Sequence, residues 1–406
     1  MVVTFFRGHP TDRLLPASLI LEAANRVLGS PKPYSNDEKS RNPLTYGPDE
    51  GSYFVRQQIC KWYNGVLNGT ATPECINLTN GASYGALIAL LRTTSPQYTK
   101  GAYVVSPTYF LINGIFEDVG LRKQLRSLCE KDDGRYDLDA LEAELAHEKE
   151  SSPQKPSRFT FRYVLYLVPT HNNPSGHTVP LEDRKRLLEI ARRYDLLILA
   201  DEVYEWLNYT DKPNPTSLTT LDRETLPEGS IGNVIGNYTI SKVLGPGLRV
   251  GWHETATPEL AYHLSQLGSV KSGGTPAHLN TYFVGDMMES GAIDKVILNL
   301  NTVYGERAHA YRAAMEKYLP AGTKIDGGNG GYFFWLRFPN GYDIHAITQK
   351  CKDAGIMLAP GQHFEVTGQP HGWGDHHFRV SLSYHESDEA TEAIKKWGEI
   401  SQTCRK

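Results

Sequence analysis

The sequence predicts an α/β fold with a parallel or mixed sheet, followed along the chain by a smaller α+β part. Between about residues 76 and 250, short apolar runs alternate with longer amphipathic segments, which is typical of successive βα units. Beyond residue 286 this alternation gives way to a long helical stretch and then to two separate strand patterns. We therefore predict a large domain over residues 45–285 and a small domain formed by residues 1–44 and 286–406.

Apolar runs mark the strands of the predicted large domain. They are INLTN, AYVVSP, YVLYLVP, LLILADE and VIGNYTIS. Residues 181–195 predict an amphipathic helix, because their charged side chains share one face and their apolar side chains the other. In the C-terminal part, GGYFFWLRF and FRVSLSY predict strands, and residues 344–354 predict a helix between them.

Composition and charge favour a small-molecule substrate. The formal net charge of −4 gives no electrostatic support to nucleic acid or an anionic membrane as the main partner. The five cysteines are far apart, with no CxxC pair and no metal-ligand spacing. No apolar run reaches the ~18 residues that span a bilayer, and no secretory signal is evident. We expect a cytoplasmic protein without a metal site.

Two ionisable residues lie where strands of the predicted sheet end. Asp201 follows an apolar strand, and an ionised carboxylate there needs a cationic partner such as a protonated pyridine nitrogen. A helix-capping role for Asp201 is about equally compatible with the pattern. Lys242 follows another buried-strand pattern, in a loop with glycines and a proline, where a desolvated amine can attack a carbonyl. The alternative is a solvated surface lysine.

Other segments favour binding of a phosphate. Arg249 offers a planar fork of donors, and Thr239 and Ser241 add hydroxyl groups. The segment TNGASYGALIALL runs from a strand end into an apolar helical stretch, whose free backbone N–H groups and dipole attract an anion. Taken alone, that turn is a weak signal.

In order and spacing, these segments resemble the class I/II aminotransferase family, the fold-type-I pyridoxal-phosphate enzymes. PTHNNPSG resembles the family's asparagine turn, ADEVY its aspartate–tyrosine strand end, and SKVLGPGLRVGW its lysine signature. The resemblance covers residues 40–390. It implies a large domain whose mostly parallel seven-stranded sheet lies between helices, a smaller α+β domain, and pyridoxal 5′-phosphate as cofactor. It also implies an α-amino acid and a 2-oxo acid as substrates.

The resemblance assigns roles at the reacting end of the cofactor. Lys242 would form the Schiff base with the cofactor and move the substrate Cα proton. Asp201 would pair with the ring nitrogen and keep the ring an electron sink. Tyr204 and Asn173 would hydrogen-bond the phenolate oxygen, and Tyr109 would stack on the ring, although core packing is its alternative role.

The resemblance also assigns the phosphate and substrate contacts. Ser83, Tyr84, Thr239, Ser241 and Arg249 would surround the phosphate. Tyr46 would reach the phosphate of a neighbouring subunit, which implies a homodimer. Arg379 would bind the substrate α-carboxylate together with Asn173, and Gly8 lies where the N-terminal segment would fold over the substrate. A surface strand arginine is the alternative interpretation of Arg379.

Histidines distinguish this chain from the commonest pattern of the family. His171 precedes the asparagine turn, and the stretch HGWGDHHF precedes Arg379. A histidine can titrate near neutrality and assist acid–base steps, but ordinary polar loop residues are the more common case. Their position leaves the substrate type open.

The same scaffold supports several reactions. We favour transamination; the alternatives are a carbon–sulfur lyase and a β/γ-replacement or cyclising enzyme, since fold alone does not determine function. A non-catalytic cofactor-sensing module fused to a winged helix is disfavoured, because no basic arm or DNA-binding pattern precedes residue 40.

Overall fold

The computed structural model describes residues 2–29, 32–67, 69–147 and 154–406. Its strands in chain order are β1 Val3–Thr4, β2 Ile76–Thr79, β3 Gly101–Ser106, β4 Leu125–Cys129, β5 Tyr163–Leu167, β6 Leu196–Glu202, β7 Val234–Thr239, β8 Gly251–Thr255, β9 Lys324–Gly327, β10 Phe333–Arg337, β11 Ile356–Met357, β12 Ala359–Pro360 and β13 His377–Ser381.

Helices connect many of the strands and form the C-terminal end of the chain. They are α1 Ala17–Leu28, α2 Tyr53–Leu67, α3 Ala82–Thr93, α4 Leu111–Asp118, α5 Leu138–His147, α6 Leu181–Tyr194, α7 Leu218–Glu224, α8 Pro258–Ser265, α9 Gly268–Lys271, α10 His278–Glu289, α11 Ala292–Tyr318, α12 Ile344–Asp353 and α13 Ser387–Gln402. Across the described ranges, no helix combines the length and the apolar character that a bilayer crossing requires.

A seven-stranded sheet forms the core of the large domain in the described residues, in the order β2-β8-β7-β6-β5-β3-β4. Strand β8 is antiparallel to both of its neighbours, and the other pairs are parallel. The prediction of a mostly parallel sheet is therefore confirmed. Strands β5, β6 and β7 are buried along their whole length, which explains their continuous apolar sequences.

The five strands predicted for this sheet are present as β2, β3, β5, β6 and β7, whereas β4 and β8 are not evident from the sequence. Strand β4 lies at the sheet edge, and half-exposed polar side chains interrupt its apolar pattern. Strand β8 buries His253 and Glu254, residue types that a burial pattern assigns to the surface. The predicted amphipathic helix is α6, which ends at Asp195 in the left-handed region with φ 53°.

A second, four-stranded sheet in the order β12-β13-β10-β9 builds the C-terminal part, with antiparallel neighbours. The predicted strands and helix of this region appear as β10, β13 and α12. The N-terminal strand β1 pairs with β11, so the first residues join this part of the chain. The predicted boundary at residue 285 falls within α10, and the division into domains stays a prediction.

Candidate active site

A cavity of about 200 Å³ opens at the carboxyl ends of β5, β6 and β7, where open α/β sheets bind their ligands. Apolar side chains from α3 and α4 line part of its wall. The residues of the sequence prediction that line it are Ser83, Tyr109, Asn173, Asp201, Tyr204, Thr239, Ser241, Lys242 and Arg249. Segments as far apart along the chain as those of Ser83 and Arg249 thus converge on one site, because they follow adjacent strands or pack beside them.

Asp201 lies at the end of β6, buried in the floor of the cavity. Its carboxylate accepts hydrogen bonds from the Tyr166 hydroxyl at 2.7 Å and from Asn237 Nδ2 at 2.8 Å. Burial raises the pKa of Asp201 to about 6, while these two hydrogen bonds and the charge of Lys242 act in the opposite direction. Within the described residues, no lysine or arginine forms an ion pair with this carboxylate.

Lys242 follows β7 and points its amine into the cavity. Its Nζ donates to the Gly8 carbonyl oxygen at 3.2 Å and lies 5.9 Å from the ring centre of Tyr204 and 5.6 Å from that of Tyr332. Burial, and to a smaller extent the nearby charge of Arg379, lower the pKa of Lys242 to about 8, and the charge of Asp201 acts in the opposite direction. On the order of a tenth of this amine is therefore neutral and nucleophilic at pH 7, far more than for an ordinary lysine.

The opposite end of the cavity is rich in hydrogen-bond donors. Arg249 Nη2 donates to the Asn80 carbonyl oxygen at 3.0 Å, directly before the first turn of α3. A Cβ on Gly81 would lie 2.6 Å from that guanidinium nitrogen, so glycine is what allows the approach. The hydroxyl groups of Thr239 and Ser241 lie 2.8 Å apart beside them. Together with the positive end of α3, this arrangement suits an anion.

Arg379 is buried near Lys242. It is hydrogen-bonded to the asparagine turn and to the N-terminal segment. Its Nη1 donates to Asn173 Oδ1 at 2.9 Å, and its Nη2 donates to the Phe6 carbonyl oxygen at 2.6 Å. The guanidinium carbon lies 4.1 Å from the ring centre of Phe333 and 4.7 Å from that of Phe364. Burial lowers the pKa of Arg379 to about 10, so the group stays cationic at neutral pH. The surface-arginine alternative is wrong.

The two tyrosines of the prediction that line the cavity have different surroundings. Tyr204 is fully buried, and burial raises its pKa well above the ordinary value, so its hydroxyl is protonated and can donate a hydrogen bond. Tyr109 is half-buried on the cavity wall, and burial likewise raises its pKa. Tyr204 therefore offers a hydrogen-bond donor to the cavity, and Tyr109 offers an aromatic face.

Besides Arg379, three residues of the prediction lie outside the cavity wall. The Tyr84 side chain is 51% exposed at the first turn of α3, and the Tyr46 side chain is 79% exposed. Gly8 reaches the site through its carbonyl oxygen, which accepts the hydrogen bond from Lys242. The chain by itself thus brings neither Tyr46 nor the Tyr84 ring to the cavity.

The histidines singled out in the sequence also lie outside the cavity wall. His171 packs against Gly330, and burial lowers its pKa to about 4, so it is neutral. In the His-rich stretch, Trp373 Nε1 donates to Ser106 Oγ at 2.9 Å, and His371 Nε2 lies 2.7 Å from Ser127 Oγ. These contacts attach the stretch to the large sheet, which is a structural role.

His177 is linked to the asparagine turn through Glu130. Its Nδ1 lies 2.8 Å from Glu130 Oε1, and the second oxygen of Glu130 accepts from Asn172 Nδ2 at 3.0 Å. Burial alone would lower the pKa of His177, but the carboxylates of Asp326 and Glu130 raise it to about 10. The imidazolium therefore joins the turn that carries Asn173 to the small sheet.

We expect His177→Gln to destabilise the protein by about 2 kcal/mol at acidic pH, the scale of hydrogen bonds to charged groups. Because the folded-state pKa of His177 lies above the unfolded value, its contribution is complete below pH 6.5 and is lost as pH rises through about 10. Denaturant unfolding at several pH values measures this difference. His147→Gln, which changes an exposed histidine at the end of α5, is the control. A difference that stays constant with pH would contradict the prediction.

Two residues of the site escaped the sequence interpretation. Tyr166 on β5 and Asn237 on β7 both bind the Asp201 carboxylate. A usable signal was present for Asn237, since an amide in the middle of an apolar strand needs a buried partner. Tyr166 gave no such signal, because aromatic residues are common in strands for packing reasons alone.

The residues present fit pyridoxal 5′-phosphate. Its phosphate matches the donors around Arg249, and its cationic ring nitrogen matches the buried carboxylate of Asp201, which no protein cation neutralises through an ion pair in the described ranges. Its aldehyde matches the partly neutral amine of Lys242. The three complementary groups line a single cavity.

Comparison with known proteins agrees with this geometry. The family described as "Aminotransferase class I and II" matches residues 15–396. The chain is 41% identical to "Uncharacterized protein YER152C" from Saccharomyces cerevisiae, covering 98% of this chain and 96% of that protein. It is 28% identical to 2-aminoadipate transaminase from Thermus thermophilus, covering 98% of this chain and 89% of that protein.

A solved structure extends the comparison to a bound ligand. LysN, an α-aminoadipate aminotransferase from Thermus thermophilus complexed with N-(5′-phosphopyridoxyl)-L-leucine, aligns with a TM-score of 0.77 and 25% identity. The alignment covers 99% of this chain and 92% of that chain. The chain therefore belongs to the class I and II aminotransferases, and it is a pyridoxal-phosphate-dependent enzyme that acts on amino acids.

Proposed function

We propose that this enzyme exchanges an amino group between an α-amino acid and a 2-oxo acid, with Lys242 as the reacting amine and Arg379 as the carboxylate anchor. One observation carries the proposal: the partly neutral Lys242 and the acid Asp201 line one cavity, and the buried Arg379 is hydrogen-bonded to Asn173 in the wall of that cavity. The arginine can fix the carboxylate of an amino acid, and the lysine can then reach its Cα proton.

When bound, the cofactor withdraws electrons from the substrate Cα and makes its proton acidic. Lys242 Nζ would accept that proton, for which its lowered pKa is suited, and would return it later in the amino transfer. Asp201 would stay ionised and pair with the ring nitrogen, and the Tyr204 hydroxyl and Asn173 amide would bind the phenolate oxygen. Arg249, Ser83, Thr239 and Ser241 would hold the phosphate at the start of α3.

Arg379 suits the α-carboxylate because its environment already orients the guanidinium. Asn173 and the Phe6 carbonyl oxygen each bind one terminal nitrogen, and the rings of Phe333 and Phe364 pack around the guanidinium. The Nε atom is buried without a hydrogen-bond partner. The planar group can thus present its remaining donors to a carboxylate in a fixed orientation.

We expect Arg379→Lys to raise the KM for the amino acid about 100-fold, because a lysine cannot reproduce the two-donor contact to a carboxylate. The absorbance and affinity of the bound cofactor should stay unchanged, since Arg379 binds the substrate. Steady-state kinetics with amino donor and 2-oxo acid measure the effect. Arg337→Lys, on the exposed end of β10, is the matched control. An unchanged KM would contradict the role of Arg379.

A screen of amino acids with 2-oxoglutarate or pyruvate, followed by mass spectrometry, tests the reaction. The donors should include 2-aminoadipate and leucine, because the related proteins are named for the first or bind an adduct of the second. Amino transfer that requires the 2-oxo acid supports the proposal. Release of ammonia or thiol without a 2-oxo acid would support a lyase instead, which the comparisons do not favour.

We also propose a homodimer in which Tyr46 reaches the partner's phosphate site. The Tyr46 loop is anchored, since Gly47 N donates to the Gly273 carbonyl oxygen at 2.9 Å, while the Tyr46 ring itself is 79% exposed. The neighbouring Leu44 is 72% exposed. Large apolar side chains presented on an ordered loop are typical of a subunit contact.

Mixing two inactive variants tests this dimer. A Tyr46→Ala subunit lacks the distal contact, and a Lys242→Ala subunit lacks the amine. After the two are unfolded and refolded together, each heterodimer has one site with both residues intact. We expect activity well above that of either variant alone, together with a dimer mass in light scattering. Activity no higher than the sum of the separate variants would refute the shared site.

We place the enzyme in the cytoplasm. All five cysteines are free in the structure, with Cys129 partly exposed, as expected of a protein kept in a reducing compartment. Cell fractionation with an antibody against the chain tests this location.

A further inference from the structure

We propose that Asn237 is a positioning residue that holds the Asp201 carboxylate in place for the ring nitrogen of the cofactor. The inference rests on the proposed role of Asp201 and extends it to a residue on the neighbouring strand. Asn237 itself does not line the cavity, so it would act only through Asp201.

A row of buried polar side chains crosses five adjacent strands of the sheet beneath α3. From β2 to β5 the row consists of Asn77, His253, Asn237, Asp201 and Tyr166. The β-sheet register places Asn77 and Asn237 opposite His253, and Asp201 opposite Asn237. Polar groups in the centre of a sheet are costly unless they bind one another, so the row is a specific feature of this core.

Asn237 makes the contact that links this row to the cofactor site. Its Nδ2 donates to Asp201 Oδ1 at 2.8 Å and to the Ala82 carbonyl oxygen at 2.9 Å. Since both partners only accept, the orientation of the amide is determined by its surroundings. Ala82 is the first residue of α3, whose positive end faces the phosphate region. One amide therefore connects the carboxylate to the helix at the other end of the site.

Gly85 allows α3 to pack closely against the Asn237 amide. A Cβ at position 85 would lie 2.1 Å from Asn237 Oδ1, closer than any side chain allows. The helix therefore needs glycine at this position to pack over an asparagine. Leucine or valine at 237 would be the ordinary choice for a buried central strand, so the polar residue has a function other than filling space.

The energetic effect on Asp201 follows from burial. The carboxylate is desolvated, and burial raises its pKa to about 6. Each donor that points at the ionised form counteracts this effect and restricts the rotation of the carboxylate. Tyr166 serves one oxygen and Asn237 the other, so removal of Asn237 leaves Oδ1 without its protein donor.

Asn77 at the far end of the row provides a matched control. It is as fully buried as Asn237, and its Nδ2 lies 3.2 Å from His253 Nδ1. His253 is neutral, because burial lowers its pKa to about 4, and its Nε2 lies 2.8 Å from the Gly85 carbonyl oxygen. Asn77 thus shares the burial and the chemistry of Asn237 but does not contact Asp201.

The test compares binding of two ligands to the apo forms of the full-length enzyme. One is pyridoxal 5′-phosphate, and the other is its analogue with CH in place of the ring nitrogen. We expect Asn237→Leu to weaken the binding of pyridoxal 5′-phosphate about tenfold, which is the scale of a hydrogen bond to a charged group. The affinity for the analogue should change less than twofold in Asn237→Leu. In Asn77→Leu, the affinity for neither ligand should change more than twofold.

Different outcomes separate the possible failures. Equal weakening of both ligands by Asn237→Leu, or no weakening of either, would overturn the positioning role. If the wild-type protein itself bound both ligands equally, the role of Asp201 would fail, and the inference with it. Thermal unfolding of the apo proteins shows whether each variant folds, and Asn237→Ala replaces the leucine variant if that one does not. The absorbance of bound pyridoxal 5′-phosphate across pH gives a second readout, expected to shift in the Asn237 variant only.

Discussion

Replacing Lys242 by alanine is expected to lower the turnover of amino transfer on the order of 10³-fold or more, since the site loses the amine that moves the Cα proton. The variant should also lose the visible absorbance that covalent attachment of the cofactor produces. Borohydride treatment of the wild-type protein, followed by peptide mass mapping, should find the pyridoxyl group on Lys242. The burial of this amine and its pKa of about 8 are the physical basis of the prediction.

Lys271→Ala is the control for this experiment, because it removes an exposed lysine at the end of α9. It should keep the absorbance, the labelling of Lys242 and the turnover. Labelling of another lysine in the wild-type protein, or full turnover in Lys242→Ala, would contradict the assignment.

Asp201→Asn should lower turnover roughly 10²- to 10³-fold, the range expected when one member of a buried charge pair is removed. The substitution keeps the shape of the side chain but leaves the ring nitrogen without a negative partner. We expect the ring nitrogen to lose its proton at lower pH than in the wild-type enzyme. Absorbance of the bound cofactor measured across pH detects this shift independently of activity.

Asp222→Asn provides a comparison within the same domain. Asp222 is also buried, but its Oδ1 pairs with Arg192 Nη2 at 3.0 Å, away from the cavity. This variant is expected to lower stability and leave the absorbance of the cofactor unchanged. If both aspartate variants behaved alike, the loss in Asp201→Asn would reflect stability rather than the ring nitrogen.

Much of the fold and the site could be predicted from the sequence, because each prediction depended on a local pattern. Fully buried strands such as β6 have continuous apolar sequences, and the residues near the carboxyl end of such a strand lie where the sheet can bind a ligand. Asp201 lies near the end of β6, and Lys242 follows shortly after β7. The resemblance then assigned them roles, and the cavity brings them together as expected.

The residues that escaped prediction depend on contacts between distant segments. The edge strand β4 and the polar strand β8 lack the apolar pattern, although both belong to the sheet. Tyr166 and Asn237 acquire a role only through the register of β5, β6 and β7, which places them beside Asp201. No local pattern contains that register.

The sequence by itself determined the succession of strands and helices, the segment that we propose binds the phosphate, and the lysine that we propose reacts. These follow from periodicity and from short motifs, which act within a few residues of the chain. Only the tertiary structure decided how charges are tuned: the burial that lowers the pKa of Lys242, the aromatic rings around Arg379, and the amide that Asn237 supplies to Asp201. The physical reason is that desolvation and hydrogen bonding depend on which groups meet in space, and the meeting groups lie on strands far apart in the chain.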